Sequence, residues 1–597
     1  LEPMQLGATP VRNRLFNPPH GTTLGHNGQV TDELIAYHRT RARGGAGLII
    51  LEGMTLHPTY GFPESFLYAG SDNIIPGMAR LAEACREHDT PVFGQLFHAG
   101  RAVRLSHDGS RPVTYSASDI PDERYRVIPV PMPNDMVWEI IDSYASAAGR
   151  LAEAGLDGVE ILASMGYLIA QFLNPATNTR DDEFGGSEAG RMKLLREIMS
   201  AVRQRIGSDK TLGVRVTLDE KIDSALDAGT MIRACQALEE DGHVDYFSVI
   251  SGSTAAPAGW IHVFPPMAVP HAFVADDAER LKQAVSKPVL VAGRVNQPQV
   301  AESILAEGKA DMVGMARALI ADPEFMNKVA AGQPEDIRAC VGCNQACVGH
   351  RLAHHPVSCI QHPVSGRESS VVLNPTDGRN VLVIGAGPAG MKAAVEATRL
   401  GHRVTLIEKS SSPGGQVNLA EKLPGRAEFG GVTTNLLREL EISGVEIRLN
   451  TEASPEMVAD LQPDDVVFAA GARPRLPEVE LEDVPVLDAW AAIRGDGDIG
   501  QRVAIADWAC DWSGLGLAQK LALDGHHVRL YCGASVAGES LQGIVRDHWI
   551  GEVHRLGIEV ITFARLYGAS GDTVFFQHMI NDEPILCEDV DTLVSCY

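Results

Sequence analysis

The chain has 597 residues, 45% of them apolar, with 59 glycines and a net charge of −26. That length implies several domains, and the apolar share is ample for large cores. The acidity argues against nucleic acid or an anionic membrane as a partner. No uncharged apolar run long enough to span a bilayer occurs. The beginning, LEPMQLGATPVRNRLF, lacks the apolar region of a secretory signal. The ten cysteines are mostly scattered, which fits a reducing cytoplasm better than a disulfide scaffold. A start without Met and an end inside the apolar run DTLVSCY suggest that a little precedes the chain and a sizeable piece follows it.

The first half alternates short apolar runs with amphipathic stretches. The runs are GLIILEG (47–53), PVFGQLFH (91–98), GVEILAS (158–164), LGVRVT (212–217), YFSVISG (246–252), PVLVAGR (288–294) and ADMVGMAR (310–317). Near-continuous apolar runs separated by helix-like segments mark buried parallel strands. With an early strand near Arg14–Asn17 the count reaches eight, which predicts an α/β chain opening with a (β/α)8 TIM barrel over 1–330. A doubly wound open sheet is the alternative on pattern alone.

Residues 331–365 carry the cysteines Cys340, Cys343, Cys347 and Cys359, spaced C-x2-C-x3-C-x11-C. Thiolates this close cannot all reach good disulfide geometry, but they can surround one iron–sulfur cube. A structural zinc knuckle is the alternative; three cysteines and a distant fourth suit a cubane better than paired C-x2-C arms. A polar stretch, 365–379, reads as a linker.

Next comes RNVLVIGAGPAGMKAAVEATRLGHRVTLIEKS: strand, Gly385-x-Gly387-x-x-Gly390, helix, strand, then Glu408. The glycines let backbone N–H groups approach a pyrophosphate, and Glu408 can accept from a ribose hydroxyl. This predicts a FAD- or ADP-binding Rossmann-like domain over 378–495. The run VVFAAGARPRLP (466–477) reads as its returning strand. A second strand–helix–strand unit fills 496–597, but its loop reads Asp507-Trp508-Ala509-Cys510-Asp511-Trp512. Bulk and negative charge there oppose a phosphate, so this lobe reads as one that has lost its NAD(P)H site or been remodelled.

The order of barrel, cysteine run and GAGPAG loop resembles the multidomain branch of the Old Yellow Enzyme family, which includes amine dehydrogenases, N-methylproline demethylases and 2,4-dienoyl-CoA reductases. The resemblance covers essentially the whole chain. Its most specific pieces are GQLFHAGR, GYLIAQFLNPATNTRDDEFGGS, ADMVGMARALIADP and the cysteine run. It implies FMN in the barrel, a [4Fe-4S] cluster, and FAD or ADP in the later domain. It further implies that Pro18, Pro19 and Gly21 lie against the flavin, that Gln95 bonds its edge and that Arg215 faces N1–C2. Gly293, Arg294, Gly314 and Arg317 follow the last two strands, the usual phosphate seat of such barrels. Gly415 and Gln416 join the nucleotide-binding set. Gly21 falls where one member holds its FMN through a cysteine, so the FMN is expected to be noncovalent.

Family members commonly carry oxygen-gripping residues where this chain has Leu162 and Met165, which argues against enone reduction of the common kind. Tyr167 remains as a candidate proton donor or amine-orienting phenol. The loop SGSTAAPAGWIHVFPP is expected to overhang the flavin. Within it, Trp260 offers a cation–π face to a methylammonium, and His262 a base or a carboxylate anchor. Tyr60 is a weaker candidate for the same pocket. The resulting expectation is an amine dehydrogenase, an oxidative N-demethylase, passing hydride to FMN and then electrons through [4Fe-4S] to an acceptor such as an electron-transferring flavoprotein. The alternative is an NAD(P)H-dependent reductase of activated alkenes. A homo-oligomer is expected from the resemblance, and a structural electron-transfer subunit is the non-enzymatic reading.

Overall fold

The computed structural model describes residues 1–59, 66–103, 112–371, 374 and 377–597. It divides into two compact units, Leu1–Val372 and Leu373–Tyr597.

In the first unit eight strands close a parallel barrel in sequence order: β1 (Leu15–Asn17), β2 (Leu48–Ile50), β3 (Val92–Leu96), β4 (Gly158–Ala163), β5 (Thr211–Thr217), β6 (Tyr246–Ile250), β7 (Val289–Ala292) and β8 (Met312–Gly314). The sequence-based barrel is therefore present, and the open-sheet alternative is not. Every residue of these strands is buried, as expected when helices cover the outside and side chains fill the inside.

The period-2 alternation of a strand sorts them. Ile49, Val92, Val159, Val214, Phe247 and Val291 join the outer, helix-facing core, whereas Phe16, Leu48, Ile50, Phe93, Tyr246, Leu290 and Met312 form the inner one. An antiparallel hairpin, Met4–Leu6 with Thr9–Val11, caps the N-terminal end, where the Thr211 hydroxyl donates to Leu6 O at 2.9 Å. Each fully buried Leu, Ile or Val contributes about 1.5–3 kcal/mol, so the barrel frame is stiff enough to hold polar groups at fixed positions. Inward positions along β3, β4 and β5 carry Gln95, Glu160 and Arg215, whose side chains meet inside the barrel.

The cysteine segment is tied to this barrel by a buried ion pair. Arg41, on the helix Asp32–Arg43, is fully buried and donates to Glu368 at 2.9 Å and to the Ser365 hydroxyl at 3.1 Å. Val357 N–H donates to Thr22 O at 2.8 Å, just past β1.

In the second unit, β9 (Asn380–Ile384), β10 (Arg403–Ile407), β11 (Glu446–Arg448) and β12 (Asp465–Phe468) form a parallel sheet ordered β11-β10-β9-β12. A second parallel sheet is ordered β13-β20-β14-β15-β16, from β13 (Val486–Asp488), β14 (Arg502–Asp507), β15 (His527–Cys532), β16 (Glu559–Ile561) and β20 (Thr592–Cys596). Between β16 and β20 an antiparallel meander, β17 (Ala564–Ser570), β18 (Thr573–His578) and β19 (Pro584–Cys587), packs Val574 and Phe576 against Tyr531. Among the described residues no helix is long and apolar enough to cross a membrane.

Candidate active site

A cleft opens at the C-terminal ends of the barrel strands, the face on which barrels of this kind build their sites. Its wall includes Pro18, Pro19 and Gly21 after β1, Arg215 in β5, Gly293 and Arg294 after β7, and Gly314 and Arg317 at the end of β8. All eight of these sequence-predicted residues come together. Cys340 and Cys347 stand in the same wall.

The wall contains polar atoms that the protein leaves unpaired. Arg215 is 4% exposed, yet its Nε and one Nη have no hydrogen-bond partner, and neither does Asn296 Oδ1. Buried polar groups without a partner are costly, and three arginines in one wall, Arg215, Arg294 and Arg317, suit an anionic ligand. Arg317 donates to Pro265 O at 2.8 Å and to Asn344 Oδ1 at 2.6 Å. Arg294 donates to the carbonyls of Val269 and Met267. The donor set fits a flavin mononucleotide.

Gln95 does not stand in the wall. It is buried, and its Nε2 donates to Glu160 Oε1 at 2.7 Å. Gly21 is a close-approach glycine: a Cβ there would lie 2.1 Å from Arg351 Nε. Arg351 also lines the cleft, four residues after Cys347, and sequence reasoning missed it.

Around the four cysteines the chain supplies sulfur-directed N–H groups. Gly342 N–H donates to Cys340 Sγ and Gln361 N–H to Cys359 Sγ, each at 3.4 Å. Asn344 takes a left-handed φ of 58° just before a π-helical turn, Gln345–Gly349, that carries Cys347. Burial, then the neighbouring thiols, pushes the Cys343 thiol well up. Burial pushes Cys347 up to about 12 against the opposing pull of Arg317. The thiols are close enough to act on one another, yet among the described residues no three Cys, His, Asp or Glu groups converge on a single ion.

Three expectations about the substrate side need correction. The segment expected as an overhanging loop contains a helix, Pro257–Val263, with Pro at its first turn. Trp260 lies on that helix, buried, and its face is already taken: the Arg124 guanidinium sits 3.6 Å from the ring centroid. The cation–π partner is thus the chain's own arginine. Tyr167 caps the helix Leu168–Leu173 and packs 5.4 Å from Phe97 in an apolar group with Leu162 and Tyr125, rather than in the cleft wall. His262 does line the cleft; its Nδ1 bonds Ala258 O at 2.9 Å, which leaves Nε2 as the acceptor in the neutral ring. Met165 also lines it, at a left-handed φ of 60° pinned by two bonds of 2.9 Å from Thr254 to its carbonyl. Tyr60 lies outside the described residues.

In the second unit Gly385, Gly387 and Gly390 form the turn from β9 into the helix Pro388–Arg399. Gly385 adopts a φ of 103°, and a Cβ there would lie 2.4 Å from Ala469 O. Glu408 accepts from Ala386 N–H at 2.8 Å and Ser410 N–H at 2.9 Å. Burial opposes its charge, but the Ser410 hydroxyl, followed by these N–H donors, outweighs it and holds the carboxyl below its usual range. Gly415 packs on Gly387, and Gln416 reaches toward Gly471, so the predicted nucleotide residues gather on one loop cluster.

The other lobe differs. Asp507 ends β14, 1% exposed, and a Cβ on Gly514 in the first turns of the helix Trp512–Leu523 would lie 2.1 Å from its Oδ2. Its carboxylate occupies the helix N-terminus, where a pyrophosphate sits in dinucleotide-binding units. Burial, then Cys510, raises its pKa well above the ordinary carboxyl value. Trp508 stacks on Tyr597 at 5.8 Å and packs over Gly533.

The family model described as NADH:flavin oxidoreductase / NADH oxidase matches residues 1–336. The chain belongs to that family. A pyridine nucleotide-disulphide oxidoreductase model matches residues 379–506 of this FMN-dependent oxidoreductase. It is 40% identical to a metal reductase of Desulforamulus reducens, over 84% of this chain and 75% of that one. It is 34% identical to an N,N-dimethylglycine/sarcosine dehydrogenase of Chromohalobacter salexigens, over 92% and 82%. In solved structures it resembles 2-naphthoyl-CoA reductase in complex with 2-naphthoyl-CoA, with a TM-score of 0.92, 27% identity, and coverage of 100% and 92%. The resemblance to the multidomain Old Yellow Enzyme branch therefore holds.

Glu160 is the second residue that sequence reasoning missed. Its signal was a lone carboxylate in the otherwise apolar strand GVEILA.

Proposed function

We propose that this flavin oxidoreductase is an iron–sulfur dehydrogenase that demethylates an N-methylated amine, its electrons leaving to an external carrier rather than to NAD(P)+. The observation that carries this reading is Asp507: its buried side chain beside the first turn of the helix fills the volume a pyrophosphate would need. Bound in the cleft, FMN supplies a hydride acceptor for a C–H bond next to nitrogen, and a [4Fe-4S] cluster on Cys340, Cys343, Cys347 and Cys359 supplies one-electron carriage. Loss of hydride gives the substrate an iminium carbon, which water opens to an aldehyde and a shorter amine.

The chain's residues divide the work. Arg215 presents fixed N–H groups and positive charge to the ligand in the cleft. Pro18, Pro19, Gly293 and Gly314 shape the wall, while Arg294 and Arg317 bring the charge for a phosphate. His262 offers Nε2 to a substrate proton or ammonium. Tyr167, beside Tyr125, borders the same end of the barrel. The amine is taken to be one that also carries a carboxylate. The N,N-dimethylglycine/sarcosine dehydrogenase acts on such compounds by its name.

Support for an iron–sulfur cluster over zinc comes from the thiols. The spacing C-x2-C-x3-C-x11-C suits a cubane better than the paired C-x2-C arms of a zinc site, and two backbone N–H groups directed at sulfur stabilise thiolate ligands. Gly21 beside Arg351 leaves no room for a cysteine link, which supports noncovalent FMN. The Gly385–Gly390 loop with Glu408, Gly415 and Gln416 is the seat for FAD or ADP. The carrier is taken to be an electron-transferring flavoprotein, and two or more copies are expected to assemble.

The intact first nucleotide loop and the likeness to an aryl-CoA reductase favour a second reading, NAD(P)H-driven reduction of an activated alkene. Anaerobic mixing separates the two. The flavin band should bleach with N,N-dimethylglycine, sarcosine or another N-methylated amino acid and stay with NADH and NADPH. Bleaching by a nicotinamide and by no amine would replace the first reading with the second.

A further inference from the structure

One carboxylate at the centre of the barrel gathers the polar groups that stand behind the cleft. Glu160 is 0% exposed. In the parallel register of β3 and β4 it lies opposite Gln95, whose Nε2 donates to Oε1 at 2.7 Å. From β6, the Tyr246 hydroxyl donates to Oε2 at 3.1 Å. Tyr246 pairs with Gly213, and a Cβ on Gly213 would lie 2.1 Å from Tyr246 Cζ. Only glycine lets the phenol cross β5 and reach the carboxylate. Three strands are thus shaped around Glu160.

The fourth group is Arg215. Its Nη1 stands 3.7 Å from Glu160 Oε1, an ion pair beyond ordinary hydrogen-bond length. The same Nη1, together with Nε, has no hydrogen-bond partner. The carboxylate therefore offsets the guanidinium's charge without consuming its donors. Two opposite charges in a low-dielectric interior act strongly on one another, and a ligand in the cleft feels the difference between them.

We propose that Glu160 is a positioning residue and counter-ion: it orients Gln95 and sets how much positive charge Arg215 presents to the flavin, and thereby the flavin's reduction potential. The inference rests on the reading that the cleft holds FMN with Arg215 toward it. Negative charge accumulates on a flavin as it is reduced, and uncompensated positive charge nearby favours that form. Burial pushes the Glu160 carboxyl up against the opposing pull of Arg215, Gln95 and Tyr246; ionised, it makes the pair neutral. With the carboxylate gone, Arg215 acts alone.

The test uses the full chain purified with its flavin. Glu160→Gln keeps the shape and an acceptor for Tyr246 but removes the charge. Flavin content is measured first, then the midpoint potential of the bound flavin. The expected result is full flavin content and a tenfold or greater gain in preference for reduced over oxidised flavin, an upward shift of at least about 30 mV for a two-electron couple. Glu160→Asp, which keeps the charge, should stay nearer the wild-type potential. A Glu160→Gln protein that holds its flavin at an unchanged potential overturns the inference. If Glu160→Gln loses the flavin, retention by Glu160→Asp supports a role for the charge, and loss in both reduces Glu160 to a structural part. A wild-type protein without FMN would instead overturn the reading of the cleft itself.

Discussion

Cys347→Ser should abolish the iron and sulfide of the purified protein and lower turnover with an external one-electron acceptor by about a hundredfold or more. Outer partners of metal ligands typically cost roughly 10–100-fold when lost, and a ligand itself should cost at least the upper end. Cys347 is the right cysteine to remove because it stands in the cleft wall, on the π-helical turn that the left-handed Asn344 introduces. Flavin content should be untouched, since Arg215, Gly293 and Gly314 come from the barrel strands. Iron and sulfide analysis beside acid-released flavin checks both halves. A variant with its full iron would remove Cys347 from the ligand set.

Arg215→Met is expected to be the most destabilising change in the barrel and to empty it of flavin. Glu160 would be left buried without a counter-charge, a loss of about 3–5 kcal/mol when one partner of a buried pair is removed. Denaturant unfolding should show the loss at the transition of the first unit. Adding Glu160→Gln to Arg215→Met removes the stranded charge and should restore most of the stability without restoring flavin. That split separates the electrostatic cost from the binding role. Equal flavin content in Arg215→Met and wild type would refute the assignment of Arg215 to the ligand.

Much of this molecule can be read from its residues, for physical reasons that differ along the chain. The barrel was legible because a parallel strand buried on both faces must be apolar throughout, and LIIL, VFGQL and YFSVI have few other uses. The nucleotide loop was legible because close backbone approach demands glycine at fixed offsets. The cysteine run stood out because its spacing is unsuited to disulfides, and none of its four thiols forms one.

Side-chain partners drawn from distant strands were not legible. Nothing in GVEILA says that its glutamate will face Gln95; the register of β3 on β4 decides that. Trp260 read as an open aromatic face because Arg124, which covers it at 3.6 Å, comes from a remote part of the chain. The helix Pro257–Val263 hid inside a run of Gly, Ala and Pro that reads as loop, although Pro at a first turn is compatible with a helix start. Gly21 was read as a place for the flavin, whereas the structure adds a second demand on it, the close approach of Arg351.

The wiring of the first unit, a flavin cleft sharing its wall with two of four clustered thiols, is the claim on which the rest depends. Cofactor analysis of the purified chain tests it most directly. The account predicts released FMN together with about four irons and four sulfides per chain. Zinc with no sulfide, or a protein that holds no flavin, would contradict it.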